Sequence, residues 1–182
     1  MRERTISSTR PFEGRLISLR VDEVELEDGR RARREVVEHP GAVGILAWDG
    51  HRLAMVRQWR HPADAALLEI PAGTLDLGEE PRATAERELA EECGLAAERW
   101  EEGPAFYTAP GFCTERLSLF LATELRESNV EAPDDEVLER SWVTLADALA
   151  AIDQGSVADA KTVAGILWLA RRLRGQAGSA QV

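Results

Sequence analysis

Between Arg10 and His39 apolar and charged residues alternate, as in Val21-Asp22-Glu23-Val24-Glu25-Leu26. A period of two sends successive side chains to opposite faces of a strand. Glu27-Asp28-Gly29-Arg30 interrupts the pattern as a turn, so the stretch predicts an antiparallel hairpin or meander. Ala42 to Trp48 is a continuous apolar run, which predicts a strand buried on both faces; Asp49-Gly50 is a turn and Arg52 to Gln58 the returning strand. Leu67 to Ile70 leads into Pro71-Ala72-Gly73, which is expected to break regular structure ahead of an acidic loop. From Pro81 to Cys93 the chain is rich in Ala, Glu, Arg and Leu, with proline suited to a first helical position and Gly94 to a left-handed cap, so a helix is expected there.

Further on, Phe106 to Thr108 and Leu117 to Ala122 read as strands either side of Ala109-Pro110-Gly111. Asn129 to Glu136 is an acidic loop, Leu138 to Val143 another strand, and Thr144 introduces a helix over Leu145 to Asp153. A last helix is predicted over Ala158 to Arg174, with Val163, Ile166, Leu167, Ala170 and Leu173 on one face, before a disordered tail at 175–182. Strands alternating with helices predict an α/β layered fold.

With 182 residues, 44% of them apolar, and no internal repeat, a single domain over 1–182 is expected. The 33 acids against 22 bases, a net charge of −11, argue against a surface that tracks nucleic acid phosphates. MRERTISSTR is not an apolar leader and Val163 to Ala170 is too short to span a bilayer, so no membrane partner and a cytoplasmic location are expected. Cys93 and Cys113 form no C-x-x-C arrangement and read as buried small hydrophobes.

The chemistry concentrates in the Pro81–Cys93 helix, where Glu88, Glu91 and Glu92 stand at i, i+3 and i+4 on one face. Carboxylates 5–6 Å apart repel by about 3 kcal/mol per pair at an effective dielectric near 20. Arg82 and Arg87 are not spaced to neutralise all three, whereas a divalent cation is. Mg²⁺ takes hard oxygen ligands, and the carbonyl of Ala72 offers one more oxygen. His39, His51 and His61 lie far apart in sequence, which disfavours an imidazole site.

An isolated E-x-x-E-E would ordinarily be a solvated helix face. Here it is preceded by Gly73, five residues, Glu79 and seven more, then Arg87-Glu88-Leu89-Ala90-Glu91-Glu92-Cys93-Gly94-Leu95. That run matches G-x5-E-x7-R-E-U-x-E-E-x-G-U, with U aliphatic, at every fixed position, and the chain resembles the Nudix hydrolases from about Gly41 to Val143. The resemblance implies an α/β/α sandwich around a mixed sheet, with an N-terminal antiparallel strand extension over 10–39 and a hydrolase core over 41–174. It implies Glu88, Glu92 and the Ala72 carbonyl as Mg²⁺ ligands, with Mn²⁺ a possible substitute, and Glu91 as a nearby or water-mediated participant. Arg87 would orient the acids, Glu79 would be its structural partner, and Glu136, in Asp134-Asp135-Glu136, would serve as general base or metal ligand, with its two neighbours as alternatives.

Three stretches resemble the ADP-ribose pyrophosphatase branch of that family. They are Arg57-Gln58-Trp59-Arg60, Leu68-Glu69-Ile70-Pro71-Ala72-Gly73 and Pro110-Gly111-Phe112-Cys113-Thr114-Glu115-Arg116, with Pro110 standing 16 residues beyond Gly94. Ala109 and Trp59 depart from the residues usual there. The resemblance implies a small-molecule substrate held by Arg57, Arg60, Gly111 and Glu115: Arg60 either meets substrate phosphate or ribose or pairs with Glu69, Gly111 permits close backbone approach, and Glu115 accepts from ribose hydroxyls. ADP-ribose cleaved to AMP and ribose 5-phosphate is the expected reaction. GDP-mannose or another nucleotide sugar, and a non-catalytic nucleotide-binding module, are the alternatives. A homodimer through the N-terminal strands is implied as well.

Overall fold

The computed structural model describes residues 2–130 and 138–179. The chain folds as two compact units, Met1–Gly41 with Phe106–Leu117 and Ala42–Ala105 with Ser118–Val182.

The first unit is an antiparallel meander in the order β1 (Arg4–Glu13), β2 (Ser18–Glu25), β3 (Arg31–Glu38). The alternating stretch therefore forms three strands, and the first begins at Arg4, six residues ahead of the predicted start. Its opening, RTISSTR, carries too few apolar residues to announce a strand, and all ten β1 residues are exposed. A register irregularity between Thr9 and Phe12 absorbs Pro11, which has no N–H to give to a ladder. The turn from β2 to β3 closes where Leu26 N–H donates to the Arg30 carbonyl at 2.8 Å, with Gly29 at φ +82°. Cross-strand ion pairs run along the sheet, with Arg10 and Arg20 both holding Glu38; within β2, Arg20 also holds the buried Asp22. The segment after Thr108 docks on the end of β3, with Val37 N–H donating to the Phe112 carbonyl at 2.7 Å and Thr114 N–H to the Val37 carbonyl at 2.9 Å.

The second unit is built on a sheet with the strand order β10 (Glu139–Thr144), β5 (Arg52–Arg60), β4 (Ala42–Trp48), β9 (Arg116–Glu127), β8 (Leu95–Tyr107). Two short strands join it, β6 (Ala65–Glu69) on β5 and β7 (Ala72–Thr74) on β4. Among the described residues three α-helices complete it: α1 (Pro81–Cys93), α2 (Leu145–Asp153) and α3 (Ala160–Ser179). β4 explains the layering. Its Val43, Ile45 and Ala47 pack in one core cluster with Ala85, Leu89 and Cys93 of α1. Its Leu46 points the other way and meets Gly165 of α3, where an added Cβ would lie 3.3 Å from Leu46 Cδ2. Helices thus cover both faces of the central strand, the expected α/β/α sandwich around a mixed sheet.

In this unit three departures from the expected elements are the largest. Ala72 to Thr74 does not break structure but pairs antiparallel with β4, Ala42 opposite Thr74. β8 starts at Leu95, eleven residues early; its Glu98-Arg99 and Glu101-Glu102 pairs and Pro104 disguise it, and its place at the end of the sheet order tolerates the proline. α3 runs on through Gly175 to Ser179, where an end at Arg174 and a disordered tail are expected from the sequence. Among the described residues no helix is long and apolar enough to cross a membrane.

Candidate functional site

α1 starts at Pro81, ends where Gly94 adopts φ +61°, and donates Gly94 N–H to the Ala90 carbonyl at 2.9 Å. Ala85, Leu89 and Cys93, four apart, turn one face into the core, which leaves the acids on the flank toward β7. Arg140 of β10 donates Nη1 to the Cys93 carbonyl, a cation against the negative end of the helix.

The acids are arranged around Arg87. Its Nη1 donates to Glu88 Oε1 at 2.7 Å and to Glu91 Oε2 at 3.1 Å, while Nε and Nη2 reach Glu79 at 3.2 and 3.1 Å. Hydrogen bonding to Arg87 holds the Glu79 carboxyl down at about 2, and Glu79 in turn, with Glu88 and Glu91, raises the guanidinium above its ordinary value. Arg87 therefore neutralises more of the cluster than its sequence position suggested: Glu91 lies at i+4 from it, within ordinary helical ion-pair reach. Glu79 also accepts the Asp76 N–H at 3.2 Å and so ties the loop before α1 to the helix.

Glu92 is buried, 9% exposed, and its Oε2 accepts the Ala72 N–H at 2.9 Å, which fastens the helix to β7. Glu88 runs past Gly73 so closely that a Cβ there would lie 1.9 Å from Oε1. Among the described residues no three acidic, histidine or cysteine side chains are gathered into a ready metal cage. The guanidinium of Arg87 lies against Glu88 and Glu91, and Glu92 is turned to the β7 backbone. Even so, the donor set suits a hard divalent ion: Glu88, Glu91 and Glu92 supply carboxylate oxygens, and the one guanidinium beside them, Arg87, is shared with Glu79.

On β5, Arg57 is exposed and Arg60 takes the second arrangement left open by the sequence. It forms a two-pronged pair with Glu69 of β6, Nε to Oε1 at 2.9 Å and Nη2 to Oε2 at 2.7 Å. Hydrogen bonding to Glu69 raises the Arg60 guanidinium above its ordinary value, and the charge of Glu92 adds to that field. Gly111 and Glu115 lie in the other unit. A Cβ at Gly111 would meet nothing within 4 Å, so packing inside the protein does not demand glycine. Glu115 Oε2 accepts the Thr108 hydroxyl at 2.5 Å. Asp134, Asp135 and Glu136 lie outside the described residues.

Residues 38–165 match the NUDIX domain family. The chain belongs to the Nudix family. Residues 3–37, the meander, match the Nucleoside diphosphate sugar hydrolase N-terminal domain. An ADP-ribose pyrophosphatase of Bacillus subtilis is 45% identical over 172 residues, covering 93% of each chain. A methanol dehydrogenase activator of Bacillus methanolicus is 41% identical over 92% of each. An ADP-ribose pyrophosphatase of Mycobacterium tuberculosis is 42% identical over 90% of this chain and 81% of its own. A crystal structure of an ADP compounds hydrolase superposes with a TM-score of 0.86 at 22% identity, over 97% of this chain and 96% of that one, and shows the same fold. Nudix hydrolases generally use divalent metal ions, in keeping with the three carboxylates of α1.

The sequence reading missed Lys161. It donates Nζ to Glu69, beside Arg60, and to Asp159 Oδ1 at 2.9 Å. One signal was available: lysine occurs once in this chain.

Proposed function

We propose that this Nudix protein hydrolyses the diphosphate of ADP-ribose to AMP and ribose 5-phosphate with Mg²⁺, Mn²⁺ serving as a substitute. The observation that carries the reading is the meeting of a three-carboxylate helix face, braced by Arg87 and fastened to β7 through Glu92, with an arginine two strands away that feels the charge of Glu92. Two relatives covering most of this chain are named for that activity.

Glu88, Glu92 and the Ala72 carbonyl would hold the ion, with Glu91 beside them. A bound divalent ion neutralises diphosphate charge and acidifies water. The protein's own groups do the rest. Arg87 keeps the acids aligned from one end and Gly73 lets Glu88 lie flat against the backbone. Arg57 and Arg60 offer guanidinium forks to phosphate or ribose oxygens. Gly111 leaves backbone open to close approach, and Glu115 accepts from ribose hydroxyls. Glu136 takes the proton of the attacking water as general base. The same reading assigns 41–174 to the hydrolase core, places the protein in the cytoplasm, and uses the N-terminal strands for a homodimer.

A second reading, a nucleotide-binding module that acts on another protein, is favoured by the relative named as an activator. One assay separates the two: AMP release from ADP-ribose, GDP-mannose, NADH and diadenosine polyphosphates with Mg²⁺, wild type against Glu92→Gln. ADP-ribose is expected to turn over fastest, and Glu92→Gln to lose at least a hundredfold in kcat/KM. Faster turnover of GDP-mannose would move the substrate. No turnover, or equal turnover by both proteins, would favour the binding module.

A further inference from the structure

Glu69 ends β6 with its residue buried to 1% exposure, and two cations hold it. Arg60 satisfies both carboxylate oxygens by its two-pronged bond. Lys161, in the first turn of α3, donates to the same Oε2 that Arg60 Nη2 already reaches. A bidentate guanidinium is by itself a complete partner for a carboxylate. Lys161 is therefore one cation more than Glu69 needs in this state. It is also the chain's only lysine, every other one of its 22 Lys and Arg residues being arginine. A compact ammonium fits beside a carboxylate edge that a planar fork already occupies, where a second fork would crowd the first. Asp159 keeps it there, its Oδ1 accepting both Lys161 Nζ at 2.9 Å and the Thr162 N–H at 3.1 Å.

The two cations are not equally placed. The Arg60 side chain is 36% exposed and within electrostatic reach of Glu92, whereas Lys161 is 15% exposed. Burial pushes the Glu69 carboxyl up, but Arg60 and Lys161 more than offset it, so the group is an anion at neutral pH. Removing the only partner of a buried anion carries a large penalty. With two partners, one can leave.

We propose that Lys161 is a positioning residue for diphosphate binding: it keeps Glu69 neutralised while Arg60 turns from that carboxylate to the substrate. This rests on the reading of Arg60 as a substrate ligand given above. Without Lys161 the guanidinium is trapped on Glu69, and affinity falls while the chemical step is unaffected.

The test is steady-state hydrolysis of ADP-ribose with Mg²⁺ by wild type, Lys161→Met, Lys161→Arg, Glu69→Gln, Arg60→Gln and the Lys161→Met/Glu69→Gln double variant. Lys161→Met is expected to raise KM at least about tenfold, because substrate must then draw Arg60 away from a buried anion with no second cation beside it, with kcat within about twofold. Lys161→Arg, which keeps the charge but sets a second fork against the first, is expected to restore only part of the loss. In the Glu69→Gln background the lysine change is expected to leave KM alone, because a neutral amide needs no counter-charge. An unchanged KM in Lys161→Met overturns the proposal in favour of a structural role. An equal effect in both backgrounds overturns it in favour of direct contact with substrate. A second measurement avoids the lysine variant altogether: ¹³C-labelled lysine gives a single Hε–Cε resonance, expected to shift on adding AMP to the wild type and to stay fixed in Arg60→Gln. A resonance that ignores AMP in the wild type, or responds equally in both proteins, overturns it. Failure of the underlying reading looks different: the wild type releases no AMP, or Arg60→Gln keeps the wild-type KM, and the lysine proposal falls with it.

Discussion

Position 73 has no room for a side chain. A Cβ there would sit 1.9 Å from Glu88 Oε1 and 2.0 Å from its Cδ, distances at which something must move. The element that can move is Glu88, a flexible carboxylate on the half-buried flank of α1, because β7 is held to β4 by its ladder and to Glu92 by the Ala72 N–H. Gly73→Ala is therefore expected to displace Glu88 and spare the fold. Mn²⁺ titrations followed by electron paramagnetic resonance should show affinity lowered by about tenfold or more, with the melting temperature nearly unchanged, since displacing one carboxylate costs little beside a core defect. A loss of melting temperature with intact metal affinity would mean that the backbone yields instead. The glycine was visible in the sequence only as part of a motif; its physical reason, the passage of Glu88 over a bare Cα, needed the third dimension.

Between the loop and the helix, the Arg87–Glu79 contact is the tie whose strength depends on pH. Glu79 is held at about 2 by Arg87, against an ordinary 4.5, so its contribution to stability is complete above pH 4.5 and disappears as pH falls toward 2. Glu79→Gln is expected to flatten the pH dependence of the urea midpoint in that window, relative to wild type, and to leave its slope above pH 5 unchanged. A variant that keeps the wild-type acid slope would show that the tie contributes nothing. At this scale, what could be read in the sequence follows from periodicity. α1 has a proline start, a glycine stop and apolar residues four apart, and it falls where expected. β4 is apolar throughout because helices cover both its faces, and it too is legible. β7 and β8 were hidden for opposite reasons. Three residues after a proline are too few to show alternation, and a strand at the end of the sheet order with half its residues in water carries the charge pattern of a loop. The acids of the site could be read from their spacing, whereas the partners that hold them could not. In Arg60–Glu69–Lys161 the carboxylate and the lysine stand 92 apart in sequence, and only the placement of the α3 start beside the end of β6 brings them together.

For the molecule as a whole, the N-terminal meander poses a question of association. β1 is a terminal strand of its sheet, exposed along all ten residues, and Ile6, Phe12, Leu16 and Ile17 of this unit are 37–55% exposed. Long open strands with apolar side chains invite pairing, and proteins that keep them bare usually blunt them. Here the blunting is partial: the register breaks near Ser7 and Pro11, while Arg4 and Arg10 are spent on Glu25 and Glu38. Against association stands the net charge of −11 on each copy, which repels at long range and is screened by salt. Apolar burial and strand pairing must then supply the attraction, and a dimer formed this way should tighten as salt is added. Sedimentation equilibrium of the wild type is expected to give twice the chain mass of 20.1 kDa, with a dissociation constant that falls between about 20 mM and 300 mM NaCl. Phe12→Glu, which places a charge where a half-exposed ring stood, is expected to give the single-chain mass with an unchanged far-ultraviolet circular dichroism spectrum. A wild type that sediments at 20.1 kDa, or a dimer loosened by salt, would mean that the open strand is blunted enough by its breaks and charges to stay alone.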